Sequence, residues 1–278
     1  MLFITIAFAV YGLLIGSFLN VVILRKGVEK ITGRSHCSSC GHTLYWYDLV
    51  PVFSWIILRG RCRTCGSRIS WQYPLVEITN ALLYALVGGV FAVHVFVTPF
   101  ILLAILTLIQ LIVVSILLAI TVYDLRHTII PDEWVALFAV LSLILALLFP
   151  LAANNSKLVA VLAGPAAALP LFLLWLISGG RWMGLGDPKL ALGIGWLLGF
   201  PLGIIAIFFS FILGSAILLP VMAFEKIITH MRVYRTMRHG LTIKSEVPFG
   251  PFLIASTLLL WFFQLYGIAF PLDILGLY

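Results

Sequence analysis

Two sets of side chains in this 278-residue chain have types and spacings that suit chemistry. The first is four cysteines in two Cys-x-x-Cys pairs, within His36-Cys37-Ser38-Ser39-Cys40-Gly41 and Arg61-Cys62-Arg63-Thr64-Cys65-Gly66. A two-residue gap lets both sulfurs of a pair reach one ion from a tight knuckle, and the following glycine permits the turn. Two such pairs with 21 residues between them match the four-thiolate zinc pattern. With no further cysteine to open a coordination position, Cys37, Cys40, Cys62 and Cys65 read as a structural metal site. His36 and His42 lie close enough to substitute as ligands and otherwise read as surface residues.

The second set is five carboxylates beside or within apolar runs: Glu77, Asp124, Asp132, Glu133 and Asp187. Acids in such places are costly and default to functional candidates. Asp132 and Glu133 follow Pro131 and read as an ordinary helix start, favoured by the helix dipole. Asp124 ends an uninterrupted apolar span, where its charge opposes the C-terminal dipole, so Arg126 or a proton must compensate. Asp187 sits in Met183-Gly184-Leu185-Gly186-Asp187-Pro188-Lys189-Leu190. It reads either as an N-cap followed by Pro, or as a working acid beside two glycines that let an extended substrate backbone approach. Two aspartates held close share one proton, and such a pair can activate a water while polarising a carbonyl. That is aspartic proteolysis. The rival is a proton-coupled transporter, whose carboxylates relay protons through the bilayer. A catalytically silent assembly protein is the third reading. No His-Glu-x-x-His or Gly-Lys-Ser/Thr ending supports a metalloprotease or a phosphate loop.

The elements that must hold these residues are membrane helices. The chain is 63% apolar and 10% charged, with mean hydropathy +1.17, which excludes an ordinary soluble domain and a disordered chain. Apolar segments run over roughly 2–24, 74–97, 100–123, 134–150, 158–178, a shorter 188–200, 202–224 and 252–275. This predicts an all-α polytopic membrane protein of about eight transmembrane helices, the sixth short for a full crossing. No small-residue cleavage site follows the first stretch, so it reads as a retained span.

Loop charge gives the expected orientation. Sixteen of the 17 Lys and Arg fall on one side when loops alternate, and only Lys157 falls opposite. The positive-inside rule then places the long first loop in the cytoplasm and both termini outside. The basic excess is thus a topology signal and not a nucleic-acid one. A cytoplasmic loop also disfavours disulfides, and no βαβ pattern supports a thioredoxin-like pair. Between the knuckles, Trp46 to Leu58 is too short to span; it reads as a helix under the knuckle or as an interfacial segment. A basic amphipathic stretch after Glu225, with Lys226, Arg232 and Arg235, reads as lying on anionic lipid, or as contacting an assembly partner.

In order and spacing the chain resembles the type IV prepilin peptidases, bifunctional leader peptidases and N-methyltransferases of the GxGD aspartyl class. The resemblance rests on Gly16-Ser17-Phe18-Leu19-Asn20, the paired Cys knuckles, Tyr73-Pro74-Leu75-Val76-Glu77, Asp124-Leu125-Arg126, Ile130-Pro131-Asp132, Gly184-Leu185-Gly186-Asp187-Pro188-Lys189 and Pro248-Phe249-Gly250-Pro251-Phe252. It implies that Asp124 and Asp187 are the catalytic pair, with Gly184 and Gly186 in the motif that meets substrate; Lys189 of the same motif reads as an electrostatic aid to the site or as a positive-inside marker. It implies prepilins or pseudopilins as substrates, cleaved after a glycine on the cytoplasmic face of the inner membrane. It further implies methylation of the new N-terminus from S-adenosylmethionine, an activity associated with the large first loop. Glu77 and Asp48 are candidates for that half by charge and placement; four residues after this Glu the chain has Ala81, where family members often have Gly. The expected organisation is a first helix over 1–24, a four-cysteine metal-binding loop over 25–73, and a peptidase bundle over 74–278 with a basic loop at 225–250.

Overall fold

The computed structural model describes residues 1–28, 32–148, 157–230 and 248–268, with side chains of the third stretch described to Ala223. The nine α-helices there are α1 Leu2–Arg25, α2 Phe53–Ile57, α3 Gln72–His94, α4 Phe100–His127, α5 Asp132–Leu148, α6 Lys157–Ser178, α7 Gly186–Leu198, α8 Leu202–His230 and α9 Gly250–Leu265. A 3₁₀ turn covers Trp46–Leu49. Five are long and apolar enough to cross a membrane: α1, α3, α4, α6 and α8 to Ala223. With the shorter apolar α5, α7 and α9, each of the eight expected segments holds one helix among the described residues. Large apolar side chains along α1, such as Phe3, Ile6, Val10, Leu14 and Phe18, are exposed, as a lipid-facing surface requires. Helix α8 carries the basic stretch as far as His230. The side chain of Lys226 and all of Arg232, Arg235, Arg238 and Lys244 lie outside the described residues.

The chain forms two compact units, Met1–Val122 and Tyr123–Tyr278. In the first, α1 and α3 lie flush. A Cβ at Gly12 would stand 2.8 Å from Ala81 Cα, and one at Gly16 would stand 2.8 Å from Glu77 Cα. This close approach lets Asn80 donate to the Gly12 carbonyl at 2.8 Å, and Tyr84 pairs with Ser115 at 3.0 Å. Polar side chains inside a span thus find partners where lipid offers none.

In the second unit α7 is the centre, packed against α5, α6, α8 and α9. Nine of its 13 residues are buried. At 1.5 Å per residue it is about 20 Å long, less than the roughly 30 Å hydrocarbon core. Its neighbours supply the apolar environment that lipid would otherwise provide.

Candidate active site and metal centre

The two Cys knuckles are near copies of one another. In the first, His36 bridges to Thr43, Cys37 N–H donates to the His42 carbonyl at 2.9 Å, and Gly41 N–H to the Cys37 carbonyl at 2.8 Å. In the second, Arg61 bridges to Arg68, Cys62 N–H donates to the Ser67 carbonyl at 2.8 Å, and Gly66 N–H to the Cys62 carbonyl at 2.9 Å. Gly41 and Gly66 both stand at φ +70°, the left-handed turn that glycine allows without strain.

All four cysteines are free thiols, and their sulfurs lie within 4.8 Å of one another. The Cys37 and Cys65 sulfurs are 3.8 Å apart. Four sulfurs at about 2.3 Å from a tetrahedral zinc would be about 3.8 Å apart, so the donor set fits that ion. Backbone bonds at Cys40 and Ser39, with the Ser67 hydroxyl, bring the Cys37 thiol down to about 6. The thiolate is the form that ligates; Cys40 is pushed the other way, up to about 11, by desolvation and by its cysteine neighbours. His36 and His42 are not in the cluster; His42 packs on Tyr45 instead.

Asp48 ties the knuckles together. Its carboxylate accepts from Arg63, between Cys62 and Cys65, at 2.9 Å, and from the Tyr45 amide at 3.4 Å. The same guanidinium lies over the Tyr47 ring, 5.1 Å from its centre. Glu77 is buried and accepts the Val52 amide on Oε2 at 2.7 Å, and the Ser17 hydroxyl also bonds to it. Both carboxylates suggested for methyl transfer therefore hold the loop's own architecture.

Asp124 and Asp187 belong to the second unit, and both are buried. Asp124 lies in the last turn of α4, Asp187 in the first turn of α7. Ile130 lies between their neighbourhoods: it packs on Gly186, next to Asp187, and on Gly250, whose amide meets Asp124. The compensation expected at Asp124 does not come from Arg126, which is exposed. The first N–H of α9 makes one favourable contact instead: Gly250 donates to Asp124 Oδ2 at 3.1 Å, with the positive end of that helix's dipole behind it, and a proton on the carboxyl stays the other expected compensation.

The N-cap reading of Asp187 is also corrected. Helix α7 begins at Gly186 after Leu185, and no side chain caps it. Asp187 is thus inside the first turn with its carboxyl released from backbone duty. Gly186 is required by packing: a Cβ there would stand 2.9 Å from Ile130 Cβ, whereas one at Gly184 would make only an ordinary contact, 3.9 Å from the Gly186 nitrogen. Ile130 also faces Gly250, where a Cβ would come within 3.4 Å of its Cδ1. One side chain thus sets the spacing between the α7 and α9 starts. Lys189 turns outward and pairs with Asp132 at 2.7 Å, joining the first turns of α7 and α5. The Asp132 helix-start reading holds, with this ion pair added.

Two known families have sequence profiles that match the chain. The Bacterial Peptidase A24 N-terminal domain matches residues 10–91 and the Type IV leader peptidase family matches residues 111–219. A protein of Myxococcus xanthus (strain DK1622) named Prepilin leader peptidase/N-methyltransferase is 41% identical over 124 residues. That match covers 44% of this chain and 34% of the relative, about a third of its length. Relatives of the same name are 30% identical in Bacillus subtilis (strain 168), over 74% of this chain and 78% of theirs, and in Dichelobacter nodosus, over 92% and 90%. No solved structure matches the chain. The chain is an integral membrane protein with five helices long and apolar enough to cross a bilayer. It belongs to the type IV leader peptidase family.

Proposed function

We propose that this protein removes the basic leader of type IV prepilins or pseudopilins at the cytoplasmic face of the inner membrane, and N-methylates the residue so exposed. The observation that carries the reading is the convergence of two buried aspartates, Asp124 and Asp187, from distant parts of the chain. The names of the relatives supply the substrate and the methyl-transfer half. The transporter reading gains nothing from either source.

In the proposed cleavage, the apolar N-terminal helix of a prepilin enters from lipid and unwinds near its glycine, beside Gly184 and Gly186. One aspartate, ionised, takes a proton from a water whose oxygen attacks the scissile carbonyl carbon. The other, protonated, donates to the carbonyl oxygen. Collapse of the tetrahedral adduct breaks the C–N bond, and the departing nitrogen takes up a proton as amine. A Cβ at Gly184 would be 3.9 Å from its nearest neighbour, so that position is not tightly packed on this side.

S-adenosylmethionine would supply an activated methyl group for attack by that amine. Glu77 and Asp48 are the proposed acidic contributors to that half, and each is also bound within the first unit. Their proposed part is to shape the four-cysteine loop, over residues 25–73, to which methyl transfer is assigned. A zinc ion on Cys37, Cys40, Cys62 and Cys65 would fasten that loop.

Incubating the purified protein in detergent with a prepilin, with and without S-adenosylmethionine, and weighing the products tests the whole reading. Leader loss in both samples is expected, with 14 Da added only when the donor is present. An intact prepilin would end the proposal.

A further inference from the structure

We propose that the backbone N–H of Gly250 is a positioning group for Asp124, and that position 250 is glycine because a side chain there would turn this carboxylate. The inference rests on the reading of Asp124 as one of the catalytic pair, and it extends the machinery to the start of α9.

The geometry is specific. Gly250 is the first residue of α9 and is buried, as is Asp124. Their N···Oδ2 distance is 3.1 Å. A Cβ at residue 250 would stand 2.6 Å from that same oxygen and 3.3 Å from Asp124 Cγ. The crowded atom is the free end of a short side chain, not backbone. An added methyl is therefore accommodated by rotation of the carboxylate, which breaks the bond from the amide and swings the reacting oxygen away. The rest of the helix is left in place. Ile130 stands 3.4 Å from the same virtual Cβ and packs on Gly186 from the other side, so α9 has little freedom to retreat. Misplacing a reacting group by about 1 Å costs on the order of 10²-fold in rate.

The test uses the full chain in detergent. Gly250→Ala is expected to lower kcat for leader removal about 10²-fold, with KM for the prepilin and the melting temperature close to the parent. Full activity of Gly250→Ala, beside an inactive Asp124→Asn, would overturn the inference while leaving the catalytic pair intact. An active Asp124→Asn would instead defeat the pair itself. A second measurement does not depend on the glycine variant folding. Phe249–Gly250 is the only Phe–Gly step in the chain, so carbonyl-13C-Phe with 15N-Gly labelling isolates one amide signal. Its proton is expected to move upfield in Asp124→Asn; an unmoved signal would refute the bond.

Discussion

Glu77 Oε2 accepts the amide of Val52 at 2.7 Å, and Val52 is held at φ +62°, ψ −50°. The Pro51 carbonyl accepts from Phe53 N–H at 2.6 Å across it, closing a three-residue γ-turn. A β-branched residue in that conformation costs about 1–3 kcal/mol. A hydrogen bond to a charged group contributes about 1.5–3 kcal/mol, enough to offset the strain. Glu77→Ala should therefore let the turn open, and limited proteolysis in detergent should cut near Val52 faster. Glu77→Gln keeps an acceptor oxygen and should resist cutting almost as the parent does. Equal rates for all three proteins would deny the clamp.

The aspartates can be tested without altering shape. Asp124→Asn or Asp187→Asn keeps volume and removes the ionisable oxygen, so proton transfer from water is lost. Leader removal should fall by at least about 10²–10⁴-fold, the usual share of acid–base catalysis. Membrane insertion should be unchanged. Mass spectrometry of the prepilin after long incubation reads the loss, and complete cleavage by either variant would remove both residues from the mechanism.

Metal binding should require both knuckles. Cys62 is the buried member of the four, so Cys62→Ser places a poor ligand at the least adaptable corner. Elemental analysis should find about one zinc per parent chain and little in Cys62→Ser or in Cys37→Ser with Cys40→Ser. Methylation should weaken with the metal while leader removal persists. Equal metal content in parent and variants would contradict a four-thiolate site.

Lys189 gives the opposite expectation. It and Asp132 are 43% and 71% exposed, and exposed ion pairs contribute roughly 0–1 kcal/mol. Lys189→Ala should change the leader-removal rate by no more than about fivefold. A loss as deep as that of the aspartate variants would make the ammonium group part of the reaction.

Much of this arrangement is legible in the sequence because side-chain type carries it. Apolar runs mark the helices, the Cys spacing marks both knuckles, and acids beside spans stand out as costly. The contribution of Gly250 is not legible in the same way, since a backbone amide looks alike at every position. Its signal is a Gly-Pro step opening an apolar segment, which fixes a helix start but not what that start faces. Glu77 and Asp48 are visible as charges, yet their partners, the Val52 amide and Arg63, depend on how the loop between the knuckles folds back. The helical period says nothing about that. The shortness of α7 is plain in the sequence; its central place among four neighbours is a matter of packing.

That short helix has a consequence for where protons can go. Beyond Lys189, α7 reads Leu-Ala-Leu-Gly-Ile-Gly-Trp-Leu-Leu, without one ionisable group, and most of it is buried. A proton gained by Asp187 finds no onward carrier along this rod and is left to pass back to Asp124, to solvent or to substrate. The site is a cul-de-sac, apt for spending one water at a time and ill suited to carrying charge from one face of the membrane to the other.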